Sequence, residues 1–443
     1  MIEAIGRISR LGNSVATCLE LAGRLVYRAR VGDITRRQLL AGAVGLGGPA
    51  LILGRSRPGG FIAFDDGADG RTPIDGVDAG DATPVGCADP FAGGVLLGTV
   101  PFTGEGGPLN VAFGSGLDGR LYTDLSSLAP GDLVTPQERY YIRTRYPDLL
   151  HRSAPWKIAV DGHVNMPVSL TLEMLAPKVN PSLGPFVMEC SGNGAFAAFG
   201  MLSAARWSGV PIADVLAMAG VLPQATRVLV SGFDNHSRPH SGPSTAGASW
   251  IFTVAELEEA GAFLATEMNG VPLSFDHGFP VRLMVPNWYG CTCIKWVDAI
   301  RLVDDDAAAT SQMQEFASRT HQDGVPALAR DYKSATIDQA AMPVRIEKWR
   351  VADEIVYRVV GLMWGGYRVT DKLSIRFASG QPYAPVDVCP KQTTNQTWAI
   401  WWHAWRPSKA GSYAIGLGID DRSIPTRRLD AGFYQRTIDI TEI

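Results

Sequence analysis

The stretch Phe186-Val-Met-Glu-Cys190-Ser-Gly-Asn-Gly194 decides how the rest of the chain is interpreted. The apolar run 185–188 predicts a short buried strand, and the Ser-, Gly- and Asn-rich run after it predicts a turn. A thiol at the end of a strand, on a backbone loosened by glycine, can point into a cavity and bind a ligand. Taken alone, Cys190 is better explained as an inert core thiol, because cysteine is among the most buried residue types. A functional interpretation therefore needs support from other motifs.

Short motifs on both sides of this cysteine provide that support, and together they resemble the sulfite oxidase family of molybdenum enzymes. The resemblance runs from about residue 140 to 305 and continues more weakly to the C-terminus. It rests on the order and spacing of these segments: Tyr140-Tyr-Ile-Arg143, Trp156-Lys-Ile-Ala-Val-Asp161-Gly162, Glu189-Cys190-Ser-Gly-Asn193, Ala205-Arg206-Trp207-Ser-Gly209, Gly232-Phe-Asp234, Glu267-Met-Asn269-Gly270, Asp276-His277-Gly278-Phe-Pro280-Val-Arg282, Val285-Pro286-Asn-Trp-Tyr-Gly290, Lys295-Trp296 and Asp331-Tyr332-Lys333. In that family a cysteine is the one protein ligand of molybdenum, and a pyranopterin dithiolene supplies the other sulfur ligands.

The resemblance implies roles for individual side chains. Cys190 would ligate the metal, since a thiolate suits a thiophilic metal. Arg143 would bind an anionic substrate, and Tyr332 would hydrogen-bond beside the metal during oxygen transfer. The positions that hold the cofactor's phosphate in the family are occupied here by His277, Arg282 and Lys295, and further candidates for the phosphate or the pterin edge are Arg145 and Asp234. The apolar neighbours of Arg282 and Lys295 suggest that both are pulled inward, where a charge normally has a partner.

Length and composition bound the remaining possibilities. With 443 residues, two or three domains are expected, and a 46% hydrophobic content suits a sizeable core. The net charge of −4 gives no reason to expect nucleic acid as a partner. Strand-like runs at 157–161 and 227–232 and helical patterns at 169–175, 212–219 and 253–263 predict an α+β molybdopterin-binding catalytic domain over residues 91–310. Ser169 or Thr171 is expected to cap the first helix, Gly220 to end the second, and Thr253 to form a capping box with Glu256 in the third. The six cysteines contain no C-x-x-C-H motif, so no haem is expected in this chain.

The N-terminal segment is predicted to be a targeting signal. Arg36-Arg37 precedes an uncharged, glycine-rich run, which is typical of the twin-arginine export route to the periplasm. Residues 1–54 are assigned to this signal, and residues 55–90, rich in Gly, Asp and Pro, to a linker. No small-residue cleavage site stands out, so retention as an N-terminal anchor is the alternative.

The C-terminal part, residues 335–443, has a different texture. Strand-like runs separated by Gly and Pro recur without a long helical pattern, which predicts an immunoglobulin-like β-sandwich. The resemblance implies the same fold there, used for dimerisation, so a homodimer is expected. Four tryptophans, Trp398, Trp401, Trp402 and Trp405, are expected in the sandwich core rather than on a ligand platform. Cys291 and Cys293 are expected in a strand, on opposite faces and therefore not bridged to each other.

The implied reaction is oxygen-atom transfer to sulfite or a related sulfur compound, with an external c-type cytochrome as electron acceptor. One alternative is reduction of a sulfoxide such as oxidised methionine, although reductases of that kind commonly lack the C-terminal sandwich. Another is an exported binding protein that has lost the metal. Retention of Cys190, Arg282 and Lys295 with Tyr332 argues against the latter.

The substrate pocket departs from the family pattern. Sulfite oxidases usually place two arginines after the cysteine motif, where this chain has Gly194 and Ala195, followed by the apolar run 196–199. The Glu-Cys-Ser-Gly-Asn-Gly form is more similar to the molybdenum subunit of bacterial sulfane dehydrogenase, whose substrate sulfur is carried on a protein cysteine. The apolar run could line a channel for such a carrier, and free sulfite would then be a poor substrate. Alternatively, Arg145 or Arg436 could replace the missing guanidinium groups.

Overall fold

The computed structural model describes residues 89–443, except 151–154, 235–246 and 389–390. The predicted targeting segment and nearly all of the linker lie outside the described residues, as do Cys18, Cys87 and Cys389. In the described part of the chain, no helix is long and apolar enough to cross a membrane. The described α-helices are short: α1 (Leu172–Leu175), α2 (Ile212–Ala219), α3 (Val254–Glu259), α4 (Ser311–Phe316) and α5 (Arg427–Asp430).

Strands make up most of the regular structure. They are β1 (Val95–Val100), β2 (Lys157–Gly162), β3 (Val168–Thr171), β4 (Asn180–Glu189), β5 (Leu202–Pro211), β6 (Arg227–Gly232), β7 (Ser249–Thr253), β8 (Phe263–Met268), β9 (Val271–Pro272), β10 (Arg282–Met284), β11 (Val297–Val303), β12 (Ala340–Val351), β13 (Glu354–Trp364), β14 (Leu373–Arg376), β15 (Ala384–Pro385), β16 (Asp387–Val388), β17 (Ala399–Trp405), β18 (Gly411–Ile419) and β19 (Arg436–Ile440). Mixed sheets with a few short helices confirm the α+β class.

Two sheets build the part of the chain that contains the cysteine motif. The cysteine sheet has the order β10-β8-β5-β4, with β9 paired to β8, and all its pairs are antiparallel. The mixed sheet has the order β3-β2-β11-β6-β7, in which β2 and β11 run parallel. The predicted strands 185–188, 157–161 and 227–232 all lie in these sheets. They form because β-branched and other apolar residues alternate there between turn residues.

Helix boundaries follow the predicted local signals in all three helices, with one departure at the end of α3. Helix α2 ends at Gly220, as the glycine predicts. Helix α3 begins with the predicted capping box, in which the Thr253 hydroxyl accepts from the Glu256 N–H and the Glu256 carboxylate accepts from the Thr253 N–H. It ends at Glu259 rather than near Phe263, because Phe263 is drawn into β8. Helix α1 begins after Thr171, and Ser169 belongs to β3.

The C-terminal part contains two antiparallel sheets. Their orders are β1-β12-β13-β17-β16 and β15-β14-β18-β19, and side chains of both sheets share one hydrophobic core. The four predicted tryptophans are all buried in this second core. Strand β1, from the N-terminal side of the chain, pairs with β12. The immunoglobulin type, the domain boundaries and the dimer remain predictions.

Strand β4 lies between the two cores. Its side chains alternate: Val187 packs into the second core, whereas Met188 packs into the first core, which is built around the cysteine sheet and the mixed sheet. This alternation is the ordinary period-two geometry of a strand. The residues that follow β4 are consequently held between the two cores.

Candidate active site

Cys190 directly follows β4 and is only 3% exposed. The turn around it is well defined: its N–H donates to the Met201 carbonyl at 3.0 Å, and its carbonyl accepts from the Asn193 N–H at 2.9 Å. The thiol lines a cavity of about 110 Å³. This cavity also brings together most of the other predicted site residues, namely Arg143, Asp234, His277, Arg282 and Lys295.

Arg282 and Lys295 are the two innermost cations of the cavity. The Arg282 guanidinium, on β10, donates to the carbonyls of His277 (3.3 Å) and Cys293 (3.2 Å) and lies over the Trp207 ring. The Lys295 ammonium donates to the carbonyls of Thr144 and Asp276, the latter at 2.8 Å. Within the described residues, neither cation forms an ion pair with a carboxylate, and the Arg282 Nε has no hydrogen-bond partner. Both nitrogen groups are therefore available to an anion.

A glycine brings these two cations together. Gly278 has φ +108°, and a Cβ there would come within 3.1 Å of the Cβ atoms of both Arg282 and Lys295. Burial lowers the pKa of Lys295 well below its ordinary value, and the nearby Arg282 charge adds to that effect. A bound anion would oppose this lowering, so the pocket is electrostatically suited to an anionic group.

His277 lines the cavity but is already hydrogen-bonded through both ring nitrogens. Its Nδ1 contacts the Ser274 hydroxyl at 2.7 Å, and its Nε2 contacts the Tyr140 carbonyl at 3.0 Å, which requires the proton on Nε2. Burial lowers the pKa of His277 to about 3. Its imidazole is thus neutral and structural, while its main-chain carbonyl accepts from Arg282.

Arg145 does not line the cavity. Its Nε pairs with Asp276 Oδ2 at 3.1 Å, and Asp276 Oδ1 accepts from the Tyr146 N–H at 3.0 Å. Arg145 therefore neutralises a carboxylate beside Lys295 instead of offering its charge to a ligand. Asp234 does line the cavity, and its carboxylate accepts from the Gly247 N–H at 2.6 Å.

The tyrosine that reaches the cavity is Tyr141, not Tyr332. Tyr332 is partly buried against the first core, and its hydroxyl has no hydrogen-bond partner among the described residues. The Tyr141 hydroxyl lies where a Cβ on Gly290 would come within 2.3 Å of it. Tyr141 belongs to the Tyr140-to-Arg143 motif, but the resemblance assigns to Tyr332 the hydroxyl that hydrogen-bonds beside the metal. Chain position alone does not show which tyrosine faces the thiol.

Arg319 is a candidate site residue that the sequence did not indicate. A Cβ on Gly192 would be 3.5 Å from the Arg319 Nη1 and 3.9 Å from the Cys190 Sγ, so these two atoms lie within about 7.4 Å of each other. No described acceptor lies within hydrogen-bond distance of this guanidinium, which packs on Phe316 at 5.3 Å. Arg319 follows α4, whose residues Gln312, Glu315 and Phe316 line the cavity. The spacing 312, 315, 316, 319 is that of one helix face, and this signal could have found it.

The predicted replacements for the missing arginines do not reach the cavity. Arg436 pairs with Glu105, whose Oε1 is 2.8 Å from the Arg436 Nε. The apolar run 196–199 does not line the cavity either. Phe199 is buried against Phe433 and Tyr434, whereas Phe196 is 79% exposed. Phe199 serves the second core, so the run does not form the wall of this cavity, and a channel for a carrier outside it stays a prediction.

Cys291 and Cys293 do not lie in a strand. They follow Gly290 in the turn between β10 and β11, and both line the cavity. The strand prediction was wrong because turn hydrogen bonds dominate here: the N–H of Thr292 donates to the Tyr289 carbonyl, and that of Cys293 to the Gly290 carbonyl. Both thiols are free, as is Cys190.

The donor set of the cavity fits a metal–pterin group. In the described part of the chain, no three His, Cys, Asp or Glu side chains are grouped to hold a metal, so a metal at Cys190 would take its remaining ligands from outside the protein. Two cavity-lining atoms lack partners: the Arg282 Nε, a donor, and the Glu315 Oε1, an acceptor. A ligand with a phosphate and with ring N–H groups would satisfy both.

Comparison with known proteins identifies the class of domain that forms this cavity. The family model described as the oxidoreductase molybdopterin binding domain matches residues 145–311, the region that supplies most of this cavity. The chain is 29% identical over 198 residues to sulfite oxidase of Gallus gallus, and 30% identical over 191 residues to inducible nitrate reductase [NADH] 2 of Glycine max. These matches cover 41% and 39% of this chain, but only 42% and 21% of the two relatives.

Residues 145–311 thus form a domain of the oxidoreductase molybdopterin binding type, and the chain is similar to sulfite oxidases over about two fifths of its length. Its fold is also similar to a chain in the crystal structure of the sulfane dehydrogenase SoxCD from Paracoccus pantotrophus, with a TM-score of 0.55 and 18% sequence identity. That similarity covers 84% of this chain and 96% of the other. Because nitrate reductases as well as sulfite oxidases are similar to this chain, these similarities do not specify the reaction.

Proposed function

We propose that this protein is a molybdenum-cofactor enzyme that transfers an oxygen atom to sulfite or a related, carrier-bound sulfur compound and passes electrons to a c-type cytochrome. One observation carries the proposal: the buried Cys190 thiol lines the same cavity as Arg282 and Lys295. Neither of these two cations has a carboxylate partner among the described residues.

The residues can be assigned by their chemistry. Cys190 would ligate molybdenum, and Arg282 and Lys295 would hold the phosphate by charge-assisted hydrogen bonds. Glu315 and Asp234 offer carboxylate oxygens to ring N–H groups. When bound, the cofactor supplies the two-electron redox centre of the reaction. The protein orients it, excludes water from the buried thiol and keeps fixed positive charge beside it.

Arg143 and Arg319 are the proposed substrate-binding residues. Arg143 lines the cavity, and the Arg319 Nη1 lies beside Gly192 of the glycine-rich turn, within about 7.4 Å of the Cys190 Sγ. Gly192 and Gly194 have no side chains to block that turn, so a sulfur atom on a larger carrier could approach. The similarity of fold to a sulfane dehydrogenase chain supports a carrier-bound substrate over free sulfite.

The test begins with elemental analysis of purified enzyme for molybdenum, which separates an enzyme from a metal-free binding protein. Loaded enzyme is then assayed with free sulfite and with a persulfide on a protein cysteine, using cytochrome c or ferricyanide as acceptor. Assays with a reduced dye as electron donor and methionine sulfoxide or nitrate as acceptor test whether the enzyme is instead a reductase. Faster oxidation of the carried sulfur is expected. Rapid turnover of free sulfite at a low-micromolar Michaelis constant would instead identify an ordinary sulfite oxidase.

The proposal includes export and a homodimer. Replacing Arg36 and Arg37 with Lys is expected to leave active enzyme in the cytoplasm, because the export receptor reads the arginine pair rather than charge. Cell fractionation checks this, and unchanged export would contradict it. Sedimentation of the purified protein tests the dimer.

A further inference from the structure

The residue before the cysteine faces the opposite way from it. Along β4 and its end, Met188 and Cys190 point to the first core and the cavity, whereas Val187 and Glu189 point to the C-terminal sheets. Glu189 is 0% exposed. A buried carboxylate is unfavourable unless it is hydrogen-bonded and its charge is compensated, so its partners deserve a full account.

Every partner of the Glu189 carboxylate is a donor. The Tyr434 hydroxyl donates to Oε1 at 2.7 Å, and the Trp364 indole donates to Oε2 at 3.0 Å. The Asn193 amide, from the cysteine turn itself, donates to Oε1 at 3.4 Å. The Arg428 Nη1 lies 3.6 Å from Oε1. This set suits an ionised carboxylate, and two of its main members, Tyr434 and Trp364, belong to the C-terminal part.

Arg428 links this carboxylate to the rest of the site. Its Nη2 donates to the Ser191 carbonyl at 2.7 Å and to the Arg319 carbonyl at 2.8 Å. Its guanidinium packs over the Tyr289 ring at 4.6 Å. One side chain of α5 therefore joins the cysteine turn, the segment that carries Arg319, and the buried Glu189.

We propose that Glu189 and Arg428 are positioning residues through which the C-terminal part holds the Cys190 thiol and Arg319 in place around the metal. The inference rests on the proposed function. Its physical basis is that a metal ligand keeps its geometry only when the groups behind it are held by hydrogen bonds, and loss of such groups typically lowers metal affinity. The C-terminal part is then a component of the active site and not only a dimerisation module.

Glu189→Gln is the direct test, and Glu347→Gln is its matched control. Glu347 is also a buried carboxylate, with the Arg345 Nε at 2.7 Å and the Trp349 indole at 2.9 Å, but it lies within the five-stranded C-terminal sheet. Both substitutions should lower the melting temperature. Only Glu189→Gln should reduce molybdenum retained after dialysis, by about tenfold or more, and shift the thiolate-to-metal absorption band.

Tyr434→Phe keeps the inference testable if Glu189→Gln does not fold. It removes one hydroxyl donor to Glu189, and Tyr367→Phe removes an exposed hydroxyl that donates to the Ser423 carbonyl at 2.8 Å. Tyr434→Phe should shift the absorption band and Tyr367→Phe should not. Wild-type molybdenum content and spectrum in Glu189→Gln or Tyr434→Phe, or an equal loss in Glu347→Gln, would overturn the inference. Wild-type enzyme without molybdenum would overturn the proposed function with it.

Discussion

Two buried arginines show how the two parts of the molecule differ. Arg282, in the cavity, is 4% exposed, and its nitrogens donate only to carbonyl oxygens and to the Met188 sulfur. Arg436, the first residue of β19, is 5% exposed and forms a bidentate pair with Glu105, supplemented by the Pro343 carbonyl at 2.7 Å. Their burial is nearly equal, but of the two only Arg436 has an anionic partner among the described residues.

The same contrast extends to neighbouring charges. Asp338 and Glu347, in the C-terminal part, are each paired with an arginine. The Nε and Nη2 of Arg427 both donate to the Asp338 carboxylate at 2.8 Å, and Arg345 pairs with Glu347. In the cavity, Lys295 relies on main-chain carbonyls. Because an uncompensated buried charge is costly, the paired region needs no ligand, whereas the cavity gains stability when an anion binds. Four experiments can sharpen or break this distinction.

The largest effect is expected from Cys190→Ser. A serine hydroxyl is a much harder donor than a thiolate, so molybdenum binding, the thiolate-to-metal absorption band and activity should all be lost while the protein stays folded. Cys293→Ser is the control, because this thiol lines the same cavity but contacts the Val285 carbonyl at 3.9 Å. Metal analysis and circular dichroism measure both. Wild-type turnover by Cys190→Ser would refute the assignment of the ligand.

Arg436→Met and Arg282→Met should act in different ways. Arg436→Met leaves Glu105 buried without its partner, so the free energy of unfolding should fall by about 3–5 kcal/mol. Arg282→Met removes a buried charge that has no counter-ion, so cofactor-free protein should lose far less stability while cofactor loading collapses. Urea unfolding of the cofactor-free proteins measures stability. The molybdenum content of the purified proteins measures how much cofactor each variant holds. Equal destabilisation by both substitutions would break the comparison.

His277 predicts a pH dependence of stability. Its folded pKa of about 3 lies below the unfolded value of about 6.5, so the unfolded chain binds a proton that the folded protein does not. Its contribution to stability is therefore complete above about pH 6.5 and is lost as the pH falls towards 3, by up to about 1.4 kcal/mol per pH unit. His277→Gln should flatten this slope in urea titrations. An undiminished slope in His277→Gln would contradict the prediction.

The smallest expected effect is that of Arg319→Ala. Loss of one hydrogen-bonded guanidinium should raise KM for an anionic sulfur substrate about tenfold, with partial recovery in Arg319→Lys. Arg206→Ala is the control. It removes an exposed guanidinium from β5, and Arg206 does not line the cavity. Steady-state kinetics of loaded enzyme decide the matter. An unchanged KM in Arg319→Ala would remove this residue from the substrate site.

Much of the fold could be read from local patterns. Helix α2, the capping box of α3 and the strands of the C-terminal sheets follow from spacing, caps and turn residues, which act over a few positions. The errors arise where tertiary contacts override local preference. Phe263 joins β8 instead of extending α3, and Cys291 to Cys293 form a turn.

The candidate site shows the same division. The motif order identified Cys190, Arg282 and Lys295 as site residues, and the structure places all three in one cavity. It could not show that Asp276 engages Arg145, because no pattern reveals which carboxylate lies near a given guanidinium. Nor could the sequence show that Tyr141, and not Tyr332, lines the cavity.

The sequence by itself determined the cysteine motif, the α+β class and the run of buried strands, because these depend on residue type and short spacing. Only the tertiary structure decided that Arg282 has no anionic partner among the described residues and that Tyr434 reaches Glu189. Residues 189 and 434 are far apart in the chain, and their contact exists only because strand β4 packs between the two cores. Charge compensation and hydrogen bonding over such distances are properties of the folded chain, so no local pattern encodes them.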